Sequence, residues 1–259
     1  MKTIKPEDWT DLRLNMLVYA LTGAGKTHFC GTVQDCPETS PTLVVDVGGG
    51  RTTLVGKGIR TVRPKSMTEI QEVYDYFRHK NWRKGKQIYR SVCLDGITGI
   101  QQELVMPMVK EEGADPYEDL TIGDPPDRQD WLKGHEVVRR TLRAFRDLCL
   151  LDEPERRVHV VMTTLEKMDE KRQIICPQLP GIMGVECGSY VDILARLSIE
   201  TREEEEGPRL RYLLLDEIVD DDGNTCLSKN RGSKLGSGMW RPTMAKLYKR
   251  WSASTEEVA

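Results

Sequence analysis

Residues 20–27 have the types and the spacing needed to hold phosphate groups. They read Ala-Leu-Thr-Gly-Ala-Gly-Lys-Thr, between an apolar segment at 14–19 and a segment with helical character at 27–33. In a glycine-rich turn of this kind, consecutive backbone N–H groups converge on the β-phosphate of a nucleotide, and the helix that follows adds partial positive charge. The Lys26 ammonium would reach the β- and γ-phosphates, and the Thr27 hydroxyl would ligate Mg²⁺. We therefore predict a site for ATP and Mg²⁺, with the nucleotide contacted by Thr22, Gly23, Ala24, Gly25, Lys26, Thr27 and His28.

This loop departs from the usual phosphate-binding pattern at its first position, where Ala20 replaces glycine. Alanine is compatible with the loop if the backbone there keeps a negative φ. The competing interpretation is an ordinary glycine turn in front of a helix. The order of strand, loop and helix favours a phosphate-binding loop (P-loop).

A second acidic position supports the same chemistry. Residues 91–94 read as a buried strand that ends at Asp95. In P-loop NTPases, a carboxylate at the end of such a strand orients the water shell of Mg²⁺. The alternative is an aspartate that only caps the next helix. Together with the upstream loop, the pattern predicts Thr27 and Asp95 as the metal-binding residues, and it makes Lys26 and Asp95 candidates for catalysis.

The elements that must position these residues alternate between apolar runs and amphipathic stretches. This alternation is typical of helices packed on a largely parallel sheet. We predict strands at 42–47, 90–95, 158–164, 191–200, 210–217 and 225–229, and helices at 66–78, 131–151 and about 242–252. The first of these helices carries a capping box, in which Ser66 faces Glu69. The predicted fold class is α/β, with a mostly parallel central sheet flanked by helices and an antiparallel C-terminal strand extension, in a single domain over residues 1–259.

Composition argues against several classes of protein. No apolar run approaches the roughly 18 residues that would span a bilayer, and residues 1–10 lack the apolar stretch of a signal peptide. We therefore expect no membrane partner and a cytoplasmic location.

The seven cysteines form no CxxC pair, which argues against a disulfide framework or a structural zinc site. The net charge of −3 argues against coating of nucleic acid through bulk charge, and the acidic run at 203–206 is interpreted as a solvated turn.

Several further segments combine with the loop into a recognisable set. They are 21–27, Asp46 with Gly49 and Gly50, the strand ending at Asp95, Asp130 with Trp131, VVMTTLEK at 160–167, QLPG at 178–181 and SKNR at 228–231. In order and spacing they resemble the RecA-like phage nucleotide-binding proteins, which include phage single-strand annealing recombinases. The resemblance covers most of the chain. It implies a RecA-like P-loop ATPase core that forms a homo-oligomeric ring or filament, binds single-stranded DNA and promotes annealing and homologous recombination. It also implies a single-stranded DNA-binding protein as a partner and the cytoplasm of a phage-infected bacterium.

The resemblance also implies roles for residues near nucleotide phosphates. Lys229 and Arg231 match a basic finger that reaches across a subunit interface to the γ-phosphate of the neighbour, which is a catalytic role. The alternative is an exposed basic turn. Thr163 or Thr164, at the end of a strand, could sense the γ-phosphate or could be a routine strand-end hydroxyl.

The connection at 166–190 matches the loop with which RecA-like filaments hold single-stranded DNA. It contains the candidate DNA-binding residues Lys167, Lys171 and Arg172, and it lies where open α/β sheets carry their ligands. A second long connection, at 107–130, qualifies on position alone. The alternative is a surface loop with no ligand.

One position departs from the family pattern. Recombinases of this group usually carry a water-activating glutamate two residues after the acid equivalent to Asp46, and here that position is Gly48. Glycine cannot act as a base, and loss of a positioned base costs a factor of about 10²–10⁴ in rate. Hydrolysis is then slow, uses Asp46 through a water, or is absent. Two other interpretations stay open: a nucleotide-binding assembly or regulatory module that binds no DNA, and, less favoured, a small-molecule kinase.

Overall fold

The computed structural model describes residues 13–113, 127–200, 209–231 and 235–256. Its strands are β1 Asn15–Ala20, β2 Thr42–Asp46, β3 Arg60–Val62, β4 Trp82–Arg83, β5 Lys86–Gln87, β6 Ser91–Asp95, β7 His159–Asp169, β8 Ile174–Pro177, β9 Ile193–Glu200, β10 Leu210–Leu214, β11 Ile218–Val219, β12 Thr225–Cys226, β13 Lys229–Asn230 and β14 Gly238–Trp240. Its α-helices are α1 Lys26–Gly31, α2 Met67–Asp75, α3 Ile97–Gly99, α4 Met106–Gly113, α5 Arg128–Asp147, α6 Met183–Glu186 and α7 Met244–Glu256. Turns of 3₁₀ helix cover Gly50–Leu54, Leu148–Leu150, Pro154–Arg156 and Cys187–Ser189, and π-helical turns cover Tyr76–Lys80 and Ile100–Val105.

The main sheet follows the order β3-β2-β6-β7-β1-β9-β10-β14. The strands from β3 to β9 in this order are parallel, whereas β10 and β14 are each antiparallel to their neighbour. β13 is also antiparallel, and it pairs with the first residues of β9. The predicted fold class, a mostly parallel sheet with an antiparallel extension, is confirmed.

The strand register brings Asp46, Asp95 and Thr163 to the end of the sheet at which the P-loop follows β1. Ala20, the last residue of β1, lies opposite Leu165 of β7. Thr163 of β7 lies opposite Asp95, and Asp95 in turn lies opposite Asp46 of β2. The carboxyl ends of four parallel strands therefore meet where open α/β sheets bind ligands.

Both faces of the sheet are covered, as the apolar run at 14–19 indicates. Every residue of β1 is buried. Leu17 and Tyr19 pack on one face with residues of α2 and α5, and Met16 and Val18 pack on the other face with residues of α1 and α7. A strand buried on both faces needs a continuous apolar run in place of an alternating one.

The caps of the two long predicted helices differ in detail from the sequence interpretation. Ser66 accepts a hydrogen bond from the Glu69 N–H as expected, but the Glu69 carboxylate accepts from the Lys65 N–H and not from that of Ser66. α5 begins three residues before the predicted start, because Asp127 and Asp130 form a reciprocal capping box.

The largest departure from prediction is the connection at 166–190, whose first half, to Pro177, is a β-hairpin and not a loop. β7 continues to Asp169, and the chain turns and returns as β8, antiparallel to it. The predicted strand at 225–229 is two short strands, because β12 pairs with β8 while β13 pairs with β9. The many charged residues at 166–172 hid this hairpin, since Asp, Glu and Lys are depleted in strands.

Two predicted features lie outside the described residues: the acidic turn at 203–206 and the middle of the connection at 107–130. All seven cysteines are buried and free of disulfides. Within the described ranges, none of the helices has the length and apolar character needed to cross a membrane.

Candidate nucleotide-binding site

A cavity of about 510 Å³ opens at the carboxyl edge of the parallel strands. Its walls are the P-loop, the turn after β2, the first turns of the helix that starts at Ile97, and the end of β7. Its volume falls within the range of about 300–1,000 Å³ that is typical of small-molecule sites. Of the predicted nucleotide-binding residues, the cavity is lined by Thr22, Gly23, Gly25, Lys26, Thr27 and His28. Ala24 instead packs into the core beneath α1.

The P-loop backbone requires glycine at two positions. Gly23 has a φ of 82° and Gly25 a φ of 104°, a region that residues with a Cβ rarely adopt. A Cβ at Gly25 would also overlap the Arg211 side chain. Ala20 ends β1 as a strand residue without a positive φ, so alanine is compatible with the loop at this position.

The Lys26 ammonium turns back over its own loop. Its Nζ donates to the carbonyl oxygens of Ala20 and Leu21, at 3.0 Å each. Burial lowers the pKa of Lys26, and the carboxylates of Asp95 and Glu166 oppose that shift. A phosphate would give the ammonium a charged acceptor in place of neutral carbonyls, and charge-assisted hydrogen bonds are roughly twice as strong as neutral ones.

The two predicted metal-binding residues are in direct contact. Thr27 Oγ1 donates to Asp95 Oδ2 at 2.6 Å, and Thr163 Oγ1 donates to Asp95 Oδ1 at 2.7 Å. The Gly96 N–H in turn donates to Thr163 Oγ1 at 2.9 Å. Burial raises the pKa of Asp95, while the hydrogen bonds from Thr163 and Thr27 lower it. The carboxylate is therefore held between P-loop and sheet with its orientation fixed by two hydroxyls.

Thr163 and Thr164 have different surroundings, although both line the cavity. Thr163 positions Asp95 through its hydroxyl. Thr164 Oγ1 shares a hydrogen bond of 2.8 Å with Thr98 Oγ1, which ties β7 to the helix that follows β6. Thr98 Oγ1 also accepts from the Leu165 N–H at 3.1 Å. Neither threonine hydroxyl is an unused donor for a phosphate, because each is already part of this network.

Asp46, a candidate base acting through water, has a structural role. It is buried, and its Oδ1 and Oδ2 accept from the N–H groups of Gly50 and Arg51 at 2.9 and 3.0 Å. Both oxygens therefore hold the 3₁₀ turn after β2.

The turn that Asp46 holds lies against the P-loop. A Cβ at Gly50 would overlap the Thr27 hydroxyl, whereas a Cβ at Gly48 would meet nothing within 4 Å. The turn thus borders the part of the cavity that contains Thr27 and Asp95, and open space lies in front of Gly48.

Arg211, on β10, is a site residue that the sequence reasoning missed. It lines the cavity, and its Nε donates to the carbonyl oxygen of Ala24 at 3.2 Å. A neighbouring cavity of about 410 Å³ shares Arg211 and His28 and also contains Arg209 and Arg241. Burial lowers the pKa of His28, and the charges of Arg211 and Lys57 add to that effect. A lone arginine in an antiparallel strand has no sequence pattern that would have identified it.

Lys229 and Arg231 lie at the opposite end of the sheet from the P-loop of their own chain. Lys229 pairs with Leu194, near the start of β9, and its Nζ donates to the carbonyl oxygens of Gly188 and Val191. Arg231 forms an ion pair of 2.7 Å with Asp192. Since the P-loop follows the other end of the parallel strands, neither residue reaches the cavity of its own chain.

The three candidate DNA-binding residues lie on the β7–β8 hairpin in different environments. Lys167 Nζ donates to the carbonyl oxygens of Leu179 and Gly181 at 2.8 and 3.2 Å, so this ammonium holds the chain after β8 in place. Lys171 and Arg172 lie exposed in the turn, and Arg172 pairs with Asp169 at 2.7 Å.

No protein-family model matches this chain, and no curated protein matches it. Among solved structures it is similar to the RadB recombinase, at 10% identity over 83% of this chain and 91% of that chain, with a TM-score of 0.39. It is also similar to the N-terminal domain of zonular occludens toxin from Neisseria meningitidis, at 10% identity over 92% and 98% of the two chains, with a TM-score of 0.35. The Legionella pneumophila ATPase DotB matches at 10% identity and a TM-score of 0.31, with 82% of this chain covering 48% of DotB.

Proposed function

We propose that the chain binds ATP with Mg²⁺ in the 510 Å³ cavity and hydrolyses it slowly. The observation that carries this proposal is the contact between Thr27 and Asp95, at 2.6 Å on the cavity wall. A hydroxyl that follows the P-loop lysine and a carboxylate at the end of a neighbouring strand are the two groups that P-loop NTPases use around their metal ion.

The residues present fit a magnesium ion. Mg²⁺ prefers oxygen ligands and keeps several waters, and it is commonly held by one or two protein oxygens plus substrate phosphates. Thr27 Oγ1 would bind it directly and Asp95 would hold it through its water shell. The bound ion supplies charge neutralisation for the β- and γ-phosphates, and it favours the ionised form of Asp95, which burial disfavours.

The chain's own groups account for the orientation of the nucleotide. The metal end is fixed by Thr27, and Lys26 would exchange its two carbonyl partners for phosphate oxygens. The nucleoside end then extends past His28 toward Arg211, where the second cavity begins. Arginine suits this end because its planar guanidinium both stacks on aromatic rings and pairs with phosphate.

Equilibrium titration of Mg·ATP into the whole chain and into Lys26→Ala tests this proposal. We expect saturable binding by the wild-type chain and strongly weakened binding by the variant, with equal thermal unfolding in the absence of nucleotide. Absence of saturable binding by a folded wild-type chain overturns the proposal.

A second candidate function adds single-stranded DNA to this site, as in annealing and recombination with a single-stranded DNA-binding protein in a phage-infected bacterium. The observation that favours it is the β7–β8 hairpin. β7 runs four residues beyond Leu165, the last of its residues that pairs with β1, which is about 13 Å at 3.3 Å per residue. Lys171 and Arg172 are therefore presented beyond the edge of the sheet that holds the P-loop.

Binding of a labelled single-stranded oligonucleotide, measured by anisotropy with and without ATP, tests this second function. Lys171→Glu and Arg172→Glu should each weaken binding, and each should flatten the dependence of binding on salt by about 0.7 units of slope for every phosphate that the variant no longer neutralises. Lys80→Glu, at an exposed position after α2, is the matched control. Equal oligonucleotide binding by all variants, or no oligonucleotide binding by the wild type, would contradict this second function. The chain would then be a nucleotide-binding assembly or regulatory module.

A further inference from the structure

One carboxylate on the cavity wall has no structural role. Of the described residues that line the cavity, only Asp95 and Glu103 carry a carboxylate, and Asp95 is held by Thr27 and Thr163. Glu103 is exposed. Within the described part of the chain, no hydrogen bond or ion pair engages its carboxylate.

The helix that carries Glu103 presents one face to the cavity. α3, the π-helical turn at Ile100–Val105 and α4 follow one another without a break. Gly96, Gly99 and Glu103 all line the cavity and are spaced by three and four residues, the spacing of one helical face. Single π-helical turns inside helices occur often at functional sites.

This helical face packs closely against the Gly48 turn, with glycines at the points of contact. A Cβ at Gly96 would lie 3.3 Å from the Gly48 nitrogen, and a Cβ at Gly99 would lie 3.7 Å from it and 3.3 Å from Val47 Cγ1. Glu103 stands one turn further along, about 6 Å from Gly99 at 1.5 Å per residue. Glu103 and Gly48 line the same cavity, and the space in front of that glycine is open.

We propose that Glu103 is the general base for ATP hydrolysis, supplied by the facing helix in place of the side chain that Gly48 lacks. The inference rests on the proposed binding of Mg·ATP. The Glu103 carboxylate accepts a proton from a water molecule in the space before Gly48 as the water oxygen bonds to the γ-phosphorus. The bond between that phosphorus and the β–γ bridging oxygen breaks, so ADP and inorganic phosphate form, and Glu103 then returns the proton to solvent.

Single-turnover hydrolysis of Mg·ATP by Glu103→Gln tests this role, with binding measured separately by equilibrium titration. We expect unchanged affinity and a hydrolysis rate lower by a factor of about 10²–10⁴, the range for loss of a general base. Glu72→Gln, the same change at an exposed position of α2, is the control and should behave as wild type. Glu103→Ala should recover part of its rate in formate, because a small carboxylate can occupy the vacated space.

The outcomes separate this inference from the proposed function. Equal hydrolysis by wild type and Glu103→Gln overturns the inference and leaves the binding proposal intact. Saturable ATP binding by the wild type with no turnover, with or without single-stranded DNA, also overturns it. Absence of ATP binding by the wild type overturns both.

Discussion

The Thr27 hydroxyl donates to the Asp95 carboxylate across 2.6 Å, although the two residues are 68 positions apart in the sequence. They meet because β1 and β6 are the two parallel neighbours of β7, so the P-loop and the end of β6 flank one strand. Thr163, from that central strand, donates to the other carboxylate oxygen at 2.7 Å. The contact joins two motifs that are distant in the sequence into one site, the site at which we propose that Mg·ATP binds.

Asp46→Asn should destabilise the fold more than it slows any reaction. Asp46 is buried and accepts two backbone N–H groups, whereas an asparagine has one acceptor oxygen and turns an NH₂ toward the other donor. We expect a loss of roughly 2–3 kcal/mol of unfolding free energy in urea. Asp152→Asn, at an exposed position, is the control. Normal stability with hydrolysis abolished would contradict this structural assignment and favour Asp46 as the base.

Arg211→Ala should weaken ATP binding without affecting the metal end of the site. The change removes the Nε donor to the Ala24 carbonyl and a positive charge beside His28. We expect an increase of about tenfold in the Kd for ATP, which corresponds to roughly 1.4 kcal/mol. Arg63→Ala removes an equal charge from an exposed position and should leave the Kd unchanged. A Kd equal to that of wild type in both variants would mean that the nucleoside of ATP does not bind near Arg211.

The stability of the chain should fall in acid because of His159. Burial, with the charges of Arg13 and Arg90, lowers the pKa of this histidine from 6.5 to about 3, and its neutral Nδ1 accepts from the Leu14 N–H at 3.0 Å. Between these pH values the unfolded chain binds a proton that the folded chain does not. The stabilisation is therefore complete above pH 6.5 and declines as the pH falls toward 3, by about 1.4 kcal/mol per pH unit.

Urea unfolding of wild type and His159→Gln across this pH range measures that contribution. The glutamine side chain keeps an acceptor for the Leu14 N–H, so the variant should fold but show a shallower dependence on pH. His79→Gln, at an exposed position, should keep the wild-type slope. Identical slopes in His159→Gln and wild type would contradict the assignment.

Lys229→Ala should abolish turnover while sparing nucleotide binding, if Lys229 acts on the site of a neighbouring subunit. Its Nζ contacts carbonyl oxygens at the end of its own sheet opposite the P-loop. Lys229 therefore cannot contact a nucleotide in the cavity of its own chain. Mixing Lys229→Ala with Lys26→Ala gives the sharper result. The second variant binds no nucleotide but would supply Lys229 to the first, so activity should return in the mixture. No return of activity, or full turnover by Lys229→Ala alone, would contradict the finger assignment.

Local patterns predicted the parts of the site that lie within single segments. The P-loop, Thr27 and Asp95 were identified because glycine spacing and a strand ending in an acid are properties of short stretches. The α/β class followed equally from alternating apolar and amphipathic runs.

The remaining parts depend on tertiary contacts that no short stretch encodes. Arg211 reaches Ala24 because β10 folds back antiparallel beside β9. Glu103 enters the cavity because its helix packs on the turn after β2. The contacts of Lys167 depend on tertiary structure in the same way, since its carbonyl partners lie after a hairpin that the sequence did not predict.

The magnesium dependence of ATP binding tests the central claim most directly. ATP is titrated into wild type and Asp95→Asn, each with Mg²⁺ and with excess chelator. We predict that Mg²⁺ tightens binding to the wild-type chain and that Asp95→Asn loses most of this gain while retaining the metal-free affinity. Equal gains in both proteins, or wild-type binding that ignores Mg²⁺, would contradict a metal-bound nucleotide held by Thr27 and Asp95.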